Sequence, residues 1–338
     1  MSRIDVAIPS FNYARYLPAC IESVLSQDVD DIRVHVIDNA STDDSVEVAR
    51  RIAARDSRVS VLARPANLGP HASFNTGVDW ASGTYMMILC ADDLLAPGSL
   101  RRAAEILDRH PGAAFAYGAE VEWNAADAEP PRLPTQEHLG WSHEDGTGYL
   151  RRRCLDPMAN HSMGMVLVRT DIQKRAGHYR ETLRYYDDHE MMLRLANLGG
   201  VASTDAVQGI RRIHGCNMSN LYNGSRREDL EHRLEAFRSF LAIDARRRPD
   251  AVELRALSDR NFAATALLWA GSALAGGRRR ECMDLLSFAA SVDPSVFWRP
   301  PLGRAFRRGG RIDRLMRQFL PRPAVAPGGA ALARDALS

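Results

Sequence analysis

Through the first hundred residues, short apolar runs alternate with stretches in which apolar side chains recur every three or four positions. Runs at residues 4–8, 32–37, 59–62 and 85–89 are rich in Val, Ile, Leu and Met and predict strands. Between them Leu17, Ile21, Val24 and Leu25, and then Val46, Ala49, Ile52 and Ala53, each fall on one helical face. Ser41-Thr42-Asp43-Asp44 precedes the second set with hydroxyl and carboxylate groups suited to capping a helix start. Strand and helix in alternation predict βαβ units and a parallel sheet.

Farther along, residues 114–121 and 163–168 predict strands, with a loop rich in Pro, Ala and acids at 124–137. Residues 187–198 predict a helix whose buried face is Met192, Leu195 and Leu198, ended by Gly199-Gly200. Beyond His214 the character changes. Ser225-Arg226-Arg227-Glu228 reads as a capping box opening a helix with Leu230, Leu234, Phe237 and Leu241 on one face. Helical patterning continues to about residue 320, which divides the chain into a sheet-bearing part, 1–220, and a helical part, 221–338. Within the latter, residues 267–294 look like one tetratricopeptide-type unit. A lone unit cannot form a solenoid, so a helical hairpin packed on the sheet layer is expected.

Composition narrows the function classes. The chain has 338 residues, 45% hydrophobic and 25% charged, and a net charge of only +2, which gives no electrostatic case for nucleic acid. Eight arginines against the single acid Asp313 crowd residues 299–322, either as a solvated tail or as a contact with an anionic membrane face. Five cysteines without any C-x-x-C pair imply neither a disulfide framework nor a zinc site and fit a reducing cytoplasm. The N-terminus lacks the apolar core of a signal peptide. The most apolar segment, residues 262–277, is shorter than the ~20 residues of a membrane span and predicts a buried helix.

Candidate chemistry gathers where strands end. In an open parallel sheet, ligands bind beyond the carboxyl ends of the strands. Ser10 and Asn12 follow the first strand, Asp38 and Asn39 the second, and Asp92-Asp93 the fourth. Neighbours in an extended chain point to opposite sides, so Asp92 and Asp93 need a turn to face one ligand. Without it they divide the work, one taking a hard divalent cation and the other a sugar hydroxyl or water. Magnesium or manganese suits such oxygen donors and bridges carboxylates to phosphates. The plainer alternative is an exposed acid pair opening a turn before Pro97.

The ordered set of motifs resembles glycosyltransferase family 2, inverting nucleotide-sugar enzymes of the GT-A fold. The resemblance runs through VAIPSFNYARYLPACIESVLSQ, VIDNASTDDS and NLGPHASFNTGVDWASGTYMMILCADDLLAP, where Asn67, Gly69, Asn75 and Gly77 keep the family spacing. It resumes at YYDDHEMMLRLANLG and RRIHGCNMS, covering residues 3 to 220 with a weak stretch from 122 to 155. It implies a Rossmann-like, mostly parallel α/β sheet with a C-terminal helical extension. By resemblance Ser10, Asp38 and Asp92 contact the nucleotide, Asp93 binds the metal (Mn2+ or Mg2+), and Asp188 is the general base. His214 matches a histidine that in some members approaches the metal or phosphates. The implied partners are a nucleoside-diphosphate sugar donor, UDP in the first instance, and a glycan or lipid-linked acceptor, with the chain cytoplasmic or peripheral at the inner membrane face. Departures stand out: Cys90 occupies a frequently acidic position, Phe74 a frequent arginine, Asp187 the usual glutamate and Phe11 a frequent tyrosine. His71, near a helix start, could touch the donor or serve at the surface; His161 could line an acceptor pocket.

Two rival readings remain open. A sugar-phosphate nucleotidyltransferase uses similar aspartates but usually a glycine-rich first loop, and PSFNYARY has no glycine. A catalytically silent nucleotide- or glycan-binding module would bind UDP tightly without turnover.

Overall fold

The computed structural model describes residues 2–124, 129–131, 133, 140–159, 165–215, 217 and 224–297. The arginine-rich stretch at 299–322, His161 and most of the loop at 124–137 lie outside them. The first half alternates as expected: β1 (Ile4–Ser10), α1 (Leu17–Leu25), β2 (Ile32–Asp38), α2 (Ser45–Ala53), β3 (Val59–Ala63), α3 (Pro70–Trp80) and β4 (Tyr85–Ile88). There follow β5 (Leu94–Leu95), α4 (Ser99–Arg109), β6 (Ala113–Asn124), β7 (Trp141–Glu144), α5 (Gly146–Leu155), β8 (Val166–Arg169), α6 (Thr170–Ala176), α7 (Asp187–Leu198) and β9 (Gly200–Ile213). Three α-helices follow, α8 (Arg226–Ile243), α9 (Ala251–Ala275) and α10 (Arg279–Val292), and a 3-10 turn at Pro294–Phe297 closes the described chain.

Strands β3-β2-β1-β4 form the parallel half of one sheet, which continues β8-β6-β9-β5, with β7 also on β9. That second half is mixed: β8 runs antiparallel to β4 and β6, while β6 and β9 are parallel to each other. Strand alternation sends successive side chains to opposite faces. Tyr85 and Met87 join one core with Leu17, Ile21, Val34 and Leu100 from the α1 and α4 side. Met86 and Ile88 join the other, with Phe115, Tyr149, Met191, Phe237 and Phe262.

This second core explains the helical part. Leu230, Leu234, Phe237 and Leu241 of α8 are buried against it, and Ser225 with Glu228 makes the expected reciprocal capping box. Helices α9 and α10 form the expected hairpin, turning at Gly277 with a φ of 74°. No helix among the described residues is long and apolar enough to cross a membrane.

Two local expectations are refined. The group at 41–44 serves the start of α2 through Asp43 and not through the N-cap residue Asp44: Asp43 Oδ1 accepts from the amide and hydroxyl of Ser45, the first residue of α2, while Asp43 Oδ2 accepts from the Ala14 amide. These polar groups brace the loop after β1. Helix α7 is buried from His189 through Ala196 rather than along one face, and Leu198 is only half-buried, because α5, α6, α8 and the sheet surround it.

Candidate active site at the strand ends

Parallel pairing in register brings Ser10 opposite Asp38 at one rim. Beyond it both loops turn through left-handed backbone at Asn12 (φ 60°) and Ala40 (φ 65°), conformations that cost a non-glycine residue free energy. They are stitched together. Asn12 donates its amide to Ser41 Oγ and accepts from the Thr42 amide, and the buried Asp38 carboxylate accepts from the Ser41 amide and hydroxyl. The Ser10 hydroxyl is buried with no hydrogen-bond partner among the described residues, uncommon unless a ligand supplies one.

The asparagine and glycine spacing that carries much of the family likeness is architectural. Asn39 donates to Asn67 Oδ1 and the Gly69 carbonyl and accepts from the Leu68 amide, fixing the chain into Gly69, whose φ is 83°. Asn75 clamps the backbone of Tyr179, accepting from its amide at 2.7 Å and donating to its carbonyl at 3.1 Å. At Gly77 a Cβ would lie 2.7 Å from the Ala7 Cβ, so α3 sits on β1 at a distance only glycine permits.

After β4 the chain turns, with the Asp93 amide donating to the Cys90 carbonyl. This turn is what the acid pair needed: ligand atoms of Cys90, Asp92 and Asp93 lie within 4.8 Å of one another. Strand β9 buttresses the pair. The Arg212 amide donates to Asp93 Oδ1 at 2.9 Å, and Arg212 Nε donates to the Asp92 carbonyl at 2.8 Å. The Arg212 guanidinium lies between the rings of Tyr16 and Trp123, 4.5 and 4.1 Å from their centroids. His214 Nε2 lies 2.9 Å from Asp92 Oδ2, which also accepts from Asn217 Nδ2, so His214 meets the acid pair through Asp92 rather than Asp93. Burial, and then the neighbouring Asp92, push the Asp93 carboxyl up to about 8. Two buried carboxylates forced together, with soft Sγ beside them, fit a divalent cation, which would relieve their repulsion.

Asp188 stands at the start of α7, after Tyr186 in left-handed backbone (φ 57°). Tyr186 is gripped from α8: its hydroxyl donates to Asp229, and the Arg233 guanidinium lies 4.1 Å from its ring centroid. From α5, buried Arg153 reaches His189 Nδ1 at 3.5 Å. Asp188 itself accepts from the His189 amide at 2.7 Å. Burial, then Asp187, raise its carboxyl to about 7, partly offset by that amide, Arg233 and Arg153. Cys90 is exposed as a residue, yet desolvation of its thiol, and then the charges of Asp93, Asp92 and Cys20, raise that thiol well above its ordinary value, with Asp188 contributing least. The charge of Asp188 on α7 is thus felt at the end of β4.

Arg212 and Asn217 are site residues that sequence reasoning missed, although both lie inside RRIHGCNMS, where the proximity to His214 was the available signal. His71, considered from the sequence as a donor contact or a surface residue, pairs with Asp187 at 3.2 Å.

The model for glycosyl transferase family 2 matches residues 5–175. A chondroitin synthase of Pasteurella multocida is 25% identical over 220 residues, 64% of this chain and 21% of the synthase. A PGL/p-HBAD biosynthesis glycosyltransferase of Mycobacterium bovis is 32% identical over 115 residues, 34% of this chain and 45% of that protein. The chain therefore spans less than half the length of either relative. Among solved structures, S. aureus TarS 1-349 in complex with UDP-GlcNAc has a TM-score of 0.63 at 15% identity, covering 87% of this chain and 82% of that one. The mannosyltransferase PcManGT from Pyrobaculum calidifontis, in complex with GDP-Man and Mn2+, has a TM-score of 0.52 at 19% identity, covering 88% and 87%. At these identities the structural likeness is one of fold.

Proposed function

The chain belongs to glycosyltransferase family 2 and has the GT-A fold, and on that premise we propose that it transfers a sugar from a nucleoside-diphosphate donor to an acceptor hydroxyl with inversion. The observation that supports the reading most is the cluster of Cys90, Asp92 and Asp93 at the end of β4, whose ligand atoms lie within 4.8 Å of one another, with Asp188 close enough for its charge to be felt at Cys90. In this reading residues 1–220 are the catalytic unit, and Ser10 and Asp38 take the nucleoside. Asp93 with Asp92 would hold Mn2+ or Mg2+, His214 and Asn217 orienting Asp92; such an ion supplies positive charge to a departing diphosphate.

Asp188 has the features of a general base. It sits on a packed helix, and its carboxyl near 7 is matched to a proton transfer at neutral pH. As the acceptor oxygen attacks the anomeric carbon, its proton passes to Asp188. The bond to the diphosphate breaks with its electron pair leaving on the nucleotide, on the face opposite the attack. UDP is the first donor to test, since TarS binds UDP-GlcNAc, with GDP-mannose next. The acceptor is a glycan or a lipid-linked glycan met from the cytoplasmic side, a class supported as far as the glycan goes by the relative named for chondroitin synthesis.

The test is a screen of nucleotide sugars for manganese-dependent release of UDP or GDP, with Asp93→Ala and Asp188→Asn beside the parent. Asp93→Ala is expected to weaken metal-dependent donor binding, and Asp188→Asn to keep binding while slowing turnover. Equal rates in all three proteins would overturn the assignment, and release of pyrophosphate from a nucleoside triphosphate would replace it with a nucleotidyltransferase.

A further inference from the structure

The acid next to the proposed base has a partner on another element. Asp187 Oδ2 lies 3.2 Å from His71 Nε2, with the side chains 15% and 14% exposed, so the contact joins the first turn of α7 to the first turn of α3. The two atoms meet at ion-pair distance without the alignment of a hydrogen bond, so their attraction is one of charge when His71 is protonated. His71 is raised above the ordinary histidine value, foremost by Asp187 and opposed by burial, with the Leu183 backbone and Glu181 adding to the rise.

Asp187 is also the charge that, after burial, most disfavours an ionised Asp188. We propose that His71 is a positioning residue for the transfer reaction: as an imidazolium it holds Asp187 and compensates its charge, so that Asp188 stays ionised and can accept the acceptor's proton. The inference rests on Asp188 being the base. Other groups face this pair: Arg153 from α5, Arg233 from α8, Cys90 from the β4 end, and Tyr179 from the segment before α7. The arginines keep their charge at any working pH, whereas His71 can lose its own near neutrality.

The test compares His71→Gln, Asp187→Asn and the double variant in kcat–pH profiles, using the nucleotide sugar with the fastest diphosphate release in the donor screen. A substrate-free NMR titration of the His71 imidazole accompanies them. His71→Gln should move the acidic limb upward by about one pH unit, the lower end of what a nearby charge does, without changing the donor KM. Asp187→Asn should move it downward, the double variant should follow Asp187→Asn, and the His71 imidazole should titrate at lower pH once Asp187 is gone. An unmoved limb in His71→Gln, the same His71→Gln effect with and without Asp187, or a His71 titration indifferent to Asp187→Asn would each overturn the proposal. Those results alongside an inactive Asp188→Asn overturn this inference alone; parental turnover in Asp188→Asn overturns the base assignment and this inference with it.

Discussion

A carboxylate enclosed by protein beside another carboxylate trades stability for chemistry. Asp188 has its pKa raised to about 7, by burial first and by Asp187 second, from an ordinary 3.8. A group raised in the folded state contributes stability below its unfolded value and loses it as pH climbs through the folded one. Asp188→Asn should therefore melt at higher temperature than the parent at about pH 8, with the advantage shrinking toward about pH 4, as followed by scanning calorimetry. The same substitution should slow turnover by ~10² to 10⁴ with donor affinity nearly intact, measured by nucleotide release and calorimetric titration. Ser10, Asp38 and the acid pair were legible in sequence because strand ends can be located from apolar runs. Arg212, and the pairing of His71 with Asp187, were not, because the partners lie far apart along the chain, 120 positions for Arg212 and Asp92, and only the fold brings them together.

Helix α3 shows what a motif can encode besides catalysis. Its Asn75 replaces a missing strand neighbour for Tyr179, so Asn75→Ala should strand two backbone groups and cost ~1 to 3 kcal/mol in urea unfolding. Gly77→Ala forces a Cβ against Ala7 and should lower stability by ~1 to 3 kcal/mol, with α3 displaced from β1. Strands β1 to β4 could be read because each concentrates Val, Ile, Leu or Met in a short run, unbroken in β4 and alternating with Arg33, His35 and Ser60 in β2 and β3. Strand β5 is two residues long, and β9 interleaves buried Thr204, Gln208 and Arg212 with its apolar positions, so neither presents a strand-like run. Helix α7 showed its length but not its all-round burial, which comes from neighbours distant in sequence.

At the scale of the whole chain, the helices after residue 224 are part of the scaffold of the candidate site. Glu190 of α7, fully buried, pairs with Arg180 and with Arg194, and Arg180 continues to Asp244 at the end of α8. Ending the chain before α8 would remove Leu230, Phe237 and Phe240 and bare the rest of their core, including Tyr149, Met192 and Leu195, so that truncation should elute as aggregate in size-exclusion chromatography. Removing residues 299–338 addresses a different question: it should reduce cosedimentation with anionic vesicles if the arginine cluster meets a membrane, and unchanged partitioning would dismiss that contact. Strand β9 links the mixed half of the sheet to the acid pair, and it grips Asp93 through a main-chain N–H at residue 212. A peptide donor is blind to the side chain it carries. Drift at position 212 can therefore reshape the packing around Asp92 while leaving the anchor of Asp93 untouched, and among the twenty amino acids only proline would take that anchor away.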